Sequence, residues 1–387
     1  MQAYNYHDLQ NQAIREQSSD AFLDKCISAD SYQNILANYP STLFTPNYFI
    51  RIALGLLTIV AVSFSALLLA LVFSTSSNEG AMVLCIFLAV LTYVALEGLV
   101  KRKRFYNAGV DNILMCLTLI FLVSTVVVIE LRNVYIIGSF ITMLFSLWLC
   151  VRFTDAFMAC VSYLSAFLFT FLLFVKLGNV AKLTAPFVMM IFSGGIYLLM
   201  NILLQRKKTW LYKFSCKAVI LLTLLTFYAS GNYFVVRELS IEMFGLPIGA
   251  KDPFPFGWMF WILTFAIPIA YITYGILKRN LLFIRTGIAL TAASILTFRY
   301  YHAILPGEVA LLIGGMILAT VSYILTRYLK LAKHGFSFDP NSRPPKELLD
   351  AQALIIAQAF GKKATPHTKS VDFGGGSFGG GGAGSNY

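Results

Sequence analysis

DAFMACVSYLSAFLFTFLLFV, residues 155–175, opens on an acid and then runs to Val175 without another charge. As a helix rising about 1.5 Å per residue, it would cover about 30 Å, the thickness of bilayer hydrocarbon. A helix on a soluble core would show a polar face every turn, and this stretch has none. It reads as a transmembrane helix. Asp155 marks its start.

Runs of the same kind recur at 49–73, 81–100, 110–129, 133–151, 183–204, 211–235, 255–278, 281–299 and 306–328. The sequence therefore predicts an all-α integral membrane protein of about ten transmembrane helices. Composition agrees: of 387 residues, 58% are hydrophobic and only 12% charged. A soluble domain is about one quarter charged. Only Glu130 to Asn133 separates the third run from the fourth, so a tight helical hairpin is expected there.

The net charge of +12 would suggest nucleic acid in a soluble protein. Here the cations gather in short loops between apolar runs, so nucleic acid is not an expected partner and the lipid bilayer is. Lys101–Arg104 (KRKR), Arg152, Arg206–Lys208 with Lys213, and Lys278–Arg279 fall on one side. Arg327, Lys330 and Lys333 join them after the last run. The other loops hold Arg132, Lys176, Lys182, Arg237, Lys251 and Arg299 among the acids Glu79, Glu130, Glu238, Glu242, Asp252 and Glu308. Basic loops stay in the cytoplasm, which predicts both termini inside (N-in/C-in). No basic stretch followed by a short apolar one opens the chain, so the first run is expected to act as the insertion signal.

Outside the apolar runs, residues 1–48 are expected to form a cytoplasmic helical segment, with a helix from about Tyr6 to Ser28 on Leu9, Ala13, Ala21, Phe22 and Leu23. The membrane domain then occupies 49–328. Residues 329–361 are read as a linker and an amphipathic helix, PPKELLDAQALIIAQAFG, with Pro at its first turn and Gly361 beyond its end. Residues 362–387, ending VDFGGGSFGGGGAGSNY, are low-complexity and are expected to be disordered. A cytoplasmic protein partner of this tail is one expectation.

Catalytic signatures do not stand out. The cysteines show neither CxxC nor Cys/His spacing, which argues against disulfides and zinc. Phosphate-loop, GxSxG, HExxH and dinucleotide patterns are missing. No metal, cofactor or catalytic residue is expected, and the chain is not expected to be an enzyme.

Ionisable groups within membrane spans are costly, which makes each a candidate. Glu97 precedes KRKR by one turn; Asp111, beside Asn112, and Asp155 start spans; Lys217 and Arg285 lie a turn or so into theirs. By the loop rule all five are near the cytoplasmic face. They read either as a polar vestibule for a solute or proton, or as snorkelling side chains and structural ion pairs such as Glu97 with Lys217 or Arg285. At the other face Arg299 is expected to pair with Glu308, while Tyr300 and Tyr301 suit an interfacial belt beside His302. The loop Arg237–Gly257 is the longest outside and reads as a lid, a re-entrant segment or a plain interfacial loop anchored by Trp258 and Trp261. Pro268 is expected to kink its span, and Gly194–Gly195 and Gly314–Gly315 to let helices approach closely. Mid-span polarity is mostly hydroxyl, as at Ser124, Thr125 and Ser193.

The run from Leu281 to Lys330, with Tyr300, Tyr301, Gly314, Gly315 and Arg327, resembles the end of a group of bacterial predicted membrane proteins built on a domain of unknown function. Those proteins share a polar N-terminal segment, about ten spans and a Gly-rich last span ending in basic residues. The likeness implies no catalytic residue. The Gly-rich tail is similar to the ends of several bacterial envelope proteins, including those with a TPM domain. Together these readings point to an inner-membrane scaffold or interaction protein, with a secondary transporter of a small solute or proton as the alternative.

Overall fold

The computed structural model describes residues 3–23, 26–72, 78–129, 133–244 and 256–302, with isolated positions between 312 and 327. The chain divides into two compact units, residues 1–46 with 50–338 and residues 47–49 with 339–387. All the sites considered below lie in the first.

Among the described residues the chain is almost entirely helical and forms no strand. Two helices precede the apolar runs: α1 (Tyr6–Leu23) and α2 (Ala29–Asn38). The expected helix to Ser28 is thus cut short, because Ser28 is an N-cap: its hydroxyl accepts from the Ser31 amide and starts a second helix. Then come α3 (Tyr48–Val72), α4 (Asn78–Lys103), α5 (Val110–Val128), α6 (Val134–Phe153), α7 (Ala156–Val175), α8 (Asn179–Gln205), α9 (Lys213–Gly231), α10 (Tyr233–Phe244), α11 (Gly257–Leu277) and α12 (Leu281–Tyr301). A 3-10 turn, Lys207–Tyr212, leads into α9. Nine of these helices are long and apolar enough to cross a membrane. The tenth run, 306–328, and the expected C-terminal helix lie wholly or mostly outside the described residues.

Neighbours in sequence pack as antiparallel hairpins, α4 on α5, α6 on α7, α8 on α9 and α11 on α12, and α7 crosses to α9. The exposed apolar faces, such as Leu56, Leu57, Phe64 and Leu71 on α3, belong in lipid. Inside, Leu96, Met115, Leu149, Phe153 and Met158 form the main apolar cluster, which also takes in Tyr4 and Leu9 from the N-terminal segment.

Close helix approach comes from glycines other than those singled out in the sequence. A Cβ on Gly194 would meet only Phe227, at 4.0 Å, and one on Gly195 or Gly315 would meet nothing within 4 Å. Gly314 is outside the described residues. A Cβ on Gly287 would instead lie 3.0 Å from the Ile272 nitrogen, and one on Gly275 2.8 Å from that of Ile284. These two set the separation of α11 and α12.

The run 211–235 is a span that ends sooner than expected. It stops at Asn232, and α10 takes up the first part of what reads as the loop Arg237–Gly257. The reason is local. The Asn232 side chain accepts from the Phe234 and Val235 amides at 3.0 and 3.2 Å, an N-cap that begins a new helix.

Candidate functional site

The five ionisable residues picked from the sequence sort into two groups at the basic end of the bundle. Glu97, Asp111 and Asp155 sit under the N-terminal segment. Lys217 and Arg285 line a separate cleft.

Glu97 lies on α4, one turn below Lys101. Arg152, at the end of α6, donates Nε to Glu97 Oε1, and the Tyr93 hydroxyl donates to the same oxygen at 2.5 Å. Lys101 Nζ faces Oε2 at 3.3 Å, without the alignment of a hydrogen bond. The expected pairing of Glu97 with Lys217 or Arg285 is therefore corrected. Arg152 reaches it first, because Tyr93 and Trp148 bring α4 against α6, and the guanidinium lies over the Trp148 ring.

Asp111 and Asp155 act as anchors for the backbone. Asp111, only 2% exposed, accepts the Ala108 amide at 2.9 Å and fixes the turn that enters α5. That turn needs Gly109: its φ is +90°, and a Cβ there would fall 2.1 Å from the Arg51 carbonyl oxygen. Asp155 is the N-cap of α7, with Oδ1 accepting from the Met158 amide at 2.7 Å and Oδ2 from Asn112 Nδ2 at 3.0 Å. Arg51, in the first turn of α3, reaches Asn107 and Asn112 at 3.4 and 3.5 Å. Burial pushes the Asp155 carboxyl above the usual range, with the Asp111 charge adding to it and the Met158 amide opposing.

The N-terminal segment closes over this network. The Ala3 amide donates to the Arg152 carbonyl at 2.9 Å, and Tyr4 is buried with edge-on contacts to Tyr106 and Phe153. Burial raises the Tyr4 phenol far above its ordinary value, and the charges of Asp111, Asp155 and Glu97 push the same way. Further along, Phe44 pairs with Phe105 through a single β-bridge, with Phe44 donating to Arg104 and Tyr106 to Phe44. Asp8 accepts from Thr42 at 3.0 Å and faces Arg104 at 4.0 Å. Tyr6 accepts from Trp210 Nε1 at 2.9 Å, reaching the turn before α9.

Lys217 and Arg285 lie across α9 and α12 in a cleft of about 770 Å³ that also holds Lys278, Arg279, Asn280 and Asn201.

At the opposite end the break after α9 is bridged by neutral groups. Asn232, 2% exposed, donates to the Tyr228 hydroxyl at 2.8 Å and to Thr297 at 3.1 Å. The Tyr233 amide donates to Thr264 Oγ1 at 3.0 Å. Pro268, inside α11, has no N–H for the Thr264 carbonyl; the Ser294 hydroxyl donates to that carbonyl instead, at 2.7 Å. The expected kink residue is thus accommodated by α12. Arg237, 4% exposed, lies over the Tyr301 ring at 5.2 Å, and the Tyr301 hydroxyl donates to Glu238 at 2.9 Å. His302 packs on Trp261 and Phe298. Glu308 falls outside the described residues, so the structure does not place the expected pair with Arg299. Mid-bundle, the hydroxyls of Tyr163, Ser193 and Thr226 join α7, α8 and α9.

Arg51, Asn232 and Arg237 were not picked out as site residues. Two signals were present in the sequence: an arginine one turn into an otherwise apolar run, and GN at 231–232 near the end of another.

None of the six cysteines is in a disulfide. Among the described residues no cluster of three metal-ligating side chains occurs. The fold and the buried polar contacts define an all-α multi-pass membrane protein. No family model matches the chain, and no curated protein or solved structure does.

Proposed function

We propose that the protein is a non-catalytic scaffold or interaction protein of a bacterial inner membrane, with its N-terminal segment and C-terminal tail as cytoplasmic interaction elements. The observation that carries the reading is the docking of residues 3–46 across the basic end through buried Tyr4. Beneath it Glu97, Asp111 and Asp155 are each held by partners within the chain. A proton relay through these carboxylates would need them to change partner, and these three hold helix starts and helix contacts. The likeness of the last two runs to bacterial membrane proteins belongs to the same reading.

The loop-charge rule makes the basic end cytoplasmic. Cys26, an exposed thiol in the N-terminal segment, tests it in a variant retaining no other cysteine. An impermeant maleimide is expected to label inverted vesicles and spare intact spheroplasts. Labelling of intact spheroplasts would reverse the topology.

A second reading, a secondary transporter of a small solute or proton, draws on the helix break at Asn232, since transporters place polar groups at discontinuous helices. Flux into proteoliposomes separates the two. The scaffold reading expects no solute or proton flux above protein-free vesicles. Flux that disappears in well-folded Glu97→Gln or Asn232→Ala protein would establish transport instead, at the basic end or at the break respectively.

A further inference from the structure

The cleft between α8, α9 and the α11–α12 turn gathers Lys217, Lys278, Arg279 and Arg285, and no acid is among its lining residues. Among the described residues, none of these four cations has a carboxylate within ion-pair distance. That contrasts with Lys101, Arg104 and Arg152 at the same end, each of which faces an acid.

The local fold holds the four cations together. Arg279 takes a positive φ of 52°, and the Asn280 amide returns to the Gly275 carbonyl at 2.8 Å, which closes the turn after α11 tightly. The close approach at Gly275 then brings the start of α12 against the end of α11. Lys217 stands four residues into α9 and Arg285 four residues into α12, about 6 Å along each helix from its start. Asn201 adds an amide from the end of α8, and Leu204, Ile220 and Leu221 give the cleft an apolar wall. The positive end of α12 has the same sign as the cations.

Like charges lining one cleft repel one another, and a bound anion relieves that. A single snorkelling lysine needs only lipid in general. Four cations, two amides and an apolar wall in one cleft fit a specific group. Basic pockets between membrane helices on the cytoplasmic side take anionic headgroups.

We propose that this cleft binds a phosphate group, presented either by the headgroup of an anionic phospholipid of the same leaflet or by a phosphorylated solute from the cytoplasm. The site is independent of whether the protein is a scaffold or a transporter.

The test compares full-length Lys217→Gln/Arg285→Gln with Arg102→Gln/Lys103→Gln, which removes the same charge from exposed positions elsewhere at the basic end. Native mass spectrometry with added cardiolipin or phosphatidylglycerol, against phosphatidylcholine, reads the lipid source. Pyrophosphate-dependent thermal shift in lipid-free detergent reads the solution source. Anionic lipid retained by wild type and the control pair but reduced at least tenfold in the cleft pair supports the site and assigns it to lipid. A pyrophosphate shift lost only in the cleft pair, without lipid discrimination, supports the site and assigns it to a solute. Equal binding by both variants, or no binding by wild type to any probe, overturns the proposal. All comparisons use protein that elutes as a single peak, so misfolding is not read as lost binding.

Discussion

Two clusters of charge share the basic end of the bundle, and the fold treats them oppositely. Around Glu97, Asp111 and Asp155 each acid has a donor or cation of the same chain, and the N-terminal segment covers the set. In the cleft of Lys217 and Arg285 four cations stand together with no acid among them. The first arrangement spends the charges on holding helices and loops in register. The second leaves them facing outward, where something else must balance them. Charge in a membrane protein therefore does not by itself mark function; what separates the two cases is whether the chain supplies its own counter-charge.

The sharpest way to break this contrast is Arg152→Ala. The Glu97 side chain is 13% exposed, and losing the guanidinium strands its carboxylate with Tyr93 and Lys101. Removing one partner of a largely buried pair costs about 3 kcal/mol. Thermal unfolding in detergent is expected to show that loss. A Glu97→Leu/Arg152→Met pair should recover most of it, because no uncompensated charge remains. An Arg152→Ala protein as stable as wild type would mean that the pair does not hold α4 to α6.

Asn232→Ala probes the neutral network at the opposite end. It removes the cap from two α10 amides and a donor shared by Tyr228 and Thr297. The expected cost is about 2 kcal/mol, near the upper range for a lost N-cap. Asn232→Asp keeps the cap but not the donor, and should fall between the two.

How much of this was legible differs between the regions for physical reasons. Uninterrupted apolar length announces a span, so α3 to α9, α11 and α12 follow from the runs. Asp155 is legible as a helix start because acids favour the first turn. The partner of Glu97 was not legible: Arg152 is 55 residues away, and only the meeting of side chains from α4 and α6 in the folded bundle brings it closer than Lys217 or Arg285. The break at Asn232 hid inside a run of the right composition: GN at 231–232 was its signal, while the supporting contacts of Thr264 and Thr297 come from α11 and α12. Ser294 could not be matched to Pro268 until those two helices were seen side by side.

A smaller effect concerns pH. The Asp155 carboxyl is held above its ordinary range by burial. A group whose folded-state pKa is raised contributes stability that is full below the unfolded value and lost as pH rises through the folded one. Lowering the pH from 7 toward 4 is therefore expected to raise the unfolding temperature through this group. The difference between wild type and Asp155→Asn isolates it: the asparagine protein should gain less on acidification. Parallel curves would show that Asp155 titrates as it does in water.

The smallest expected change in stability belongs to the cleft. Lys217 and Arg285 are exposed and have no counter-charge within the chain, so replacing both by Gln in lipid-free detergent should shift stability by no more than about 0.5 kcal/mol. Relief of mutual repulsion gives the shift a stabilising sign. Arg152→Ala removes one charge and costs several times more. If the cleft pair instead proved as damaging as Arg152→Ala, its cations would be structural like those at Glu97, and the contrast between the two clusters would fail. A near-zero effect makes the cleft a part of the basic end where charge can be removed without disturbing the fold. That is the behaviour of a surface kept for a ligand.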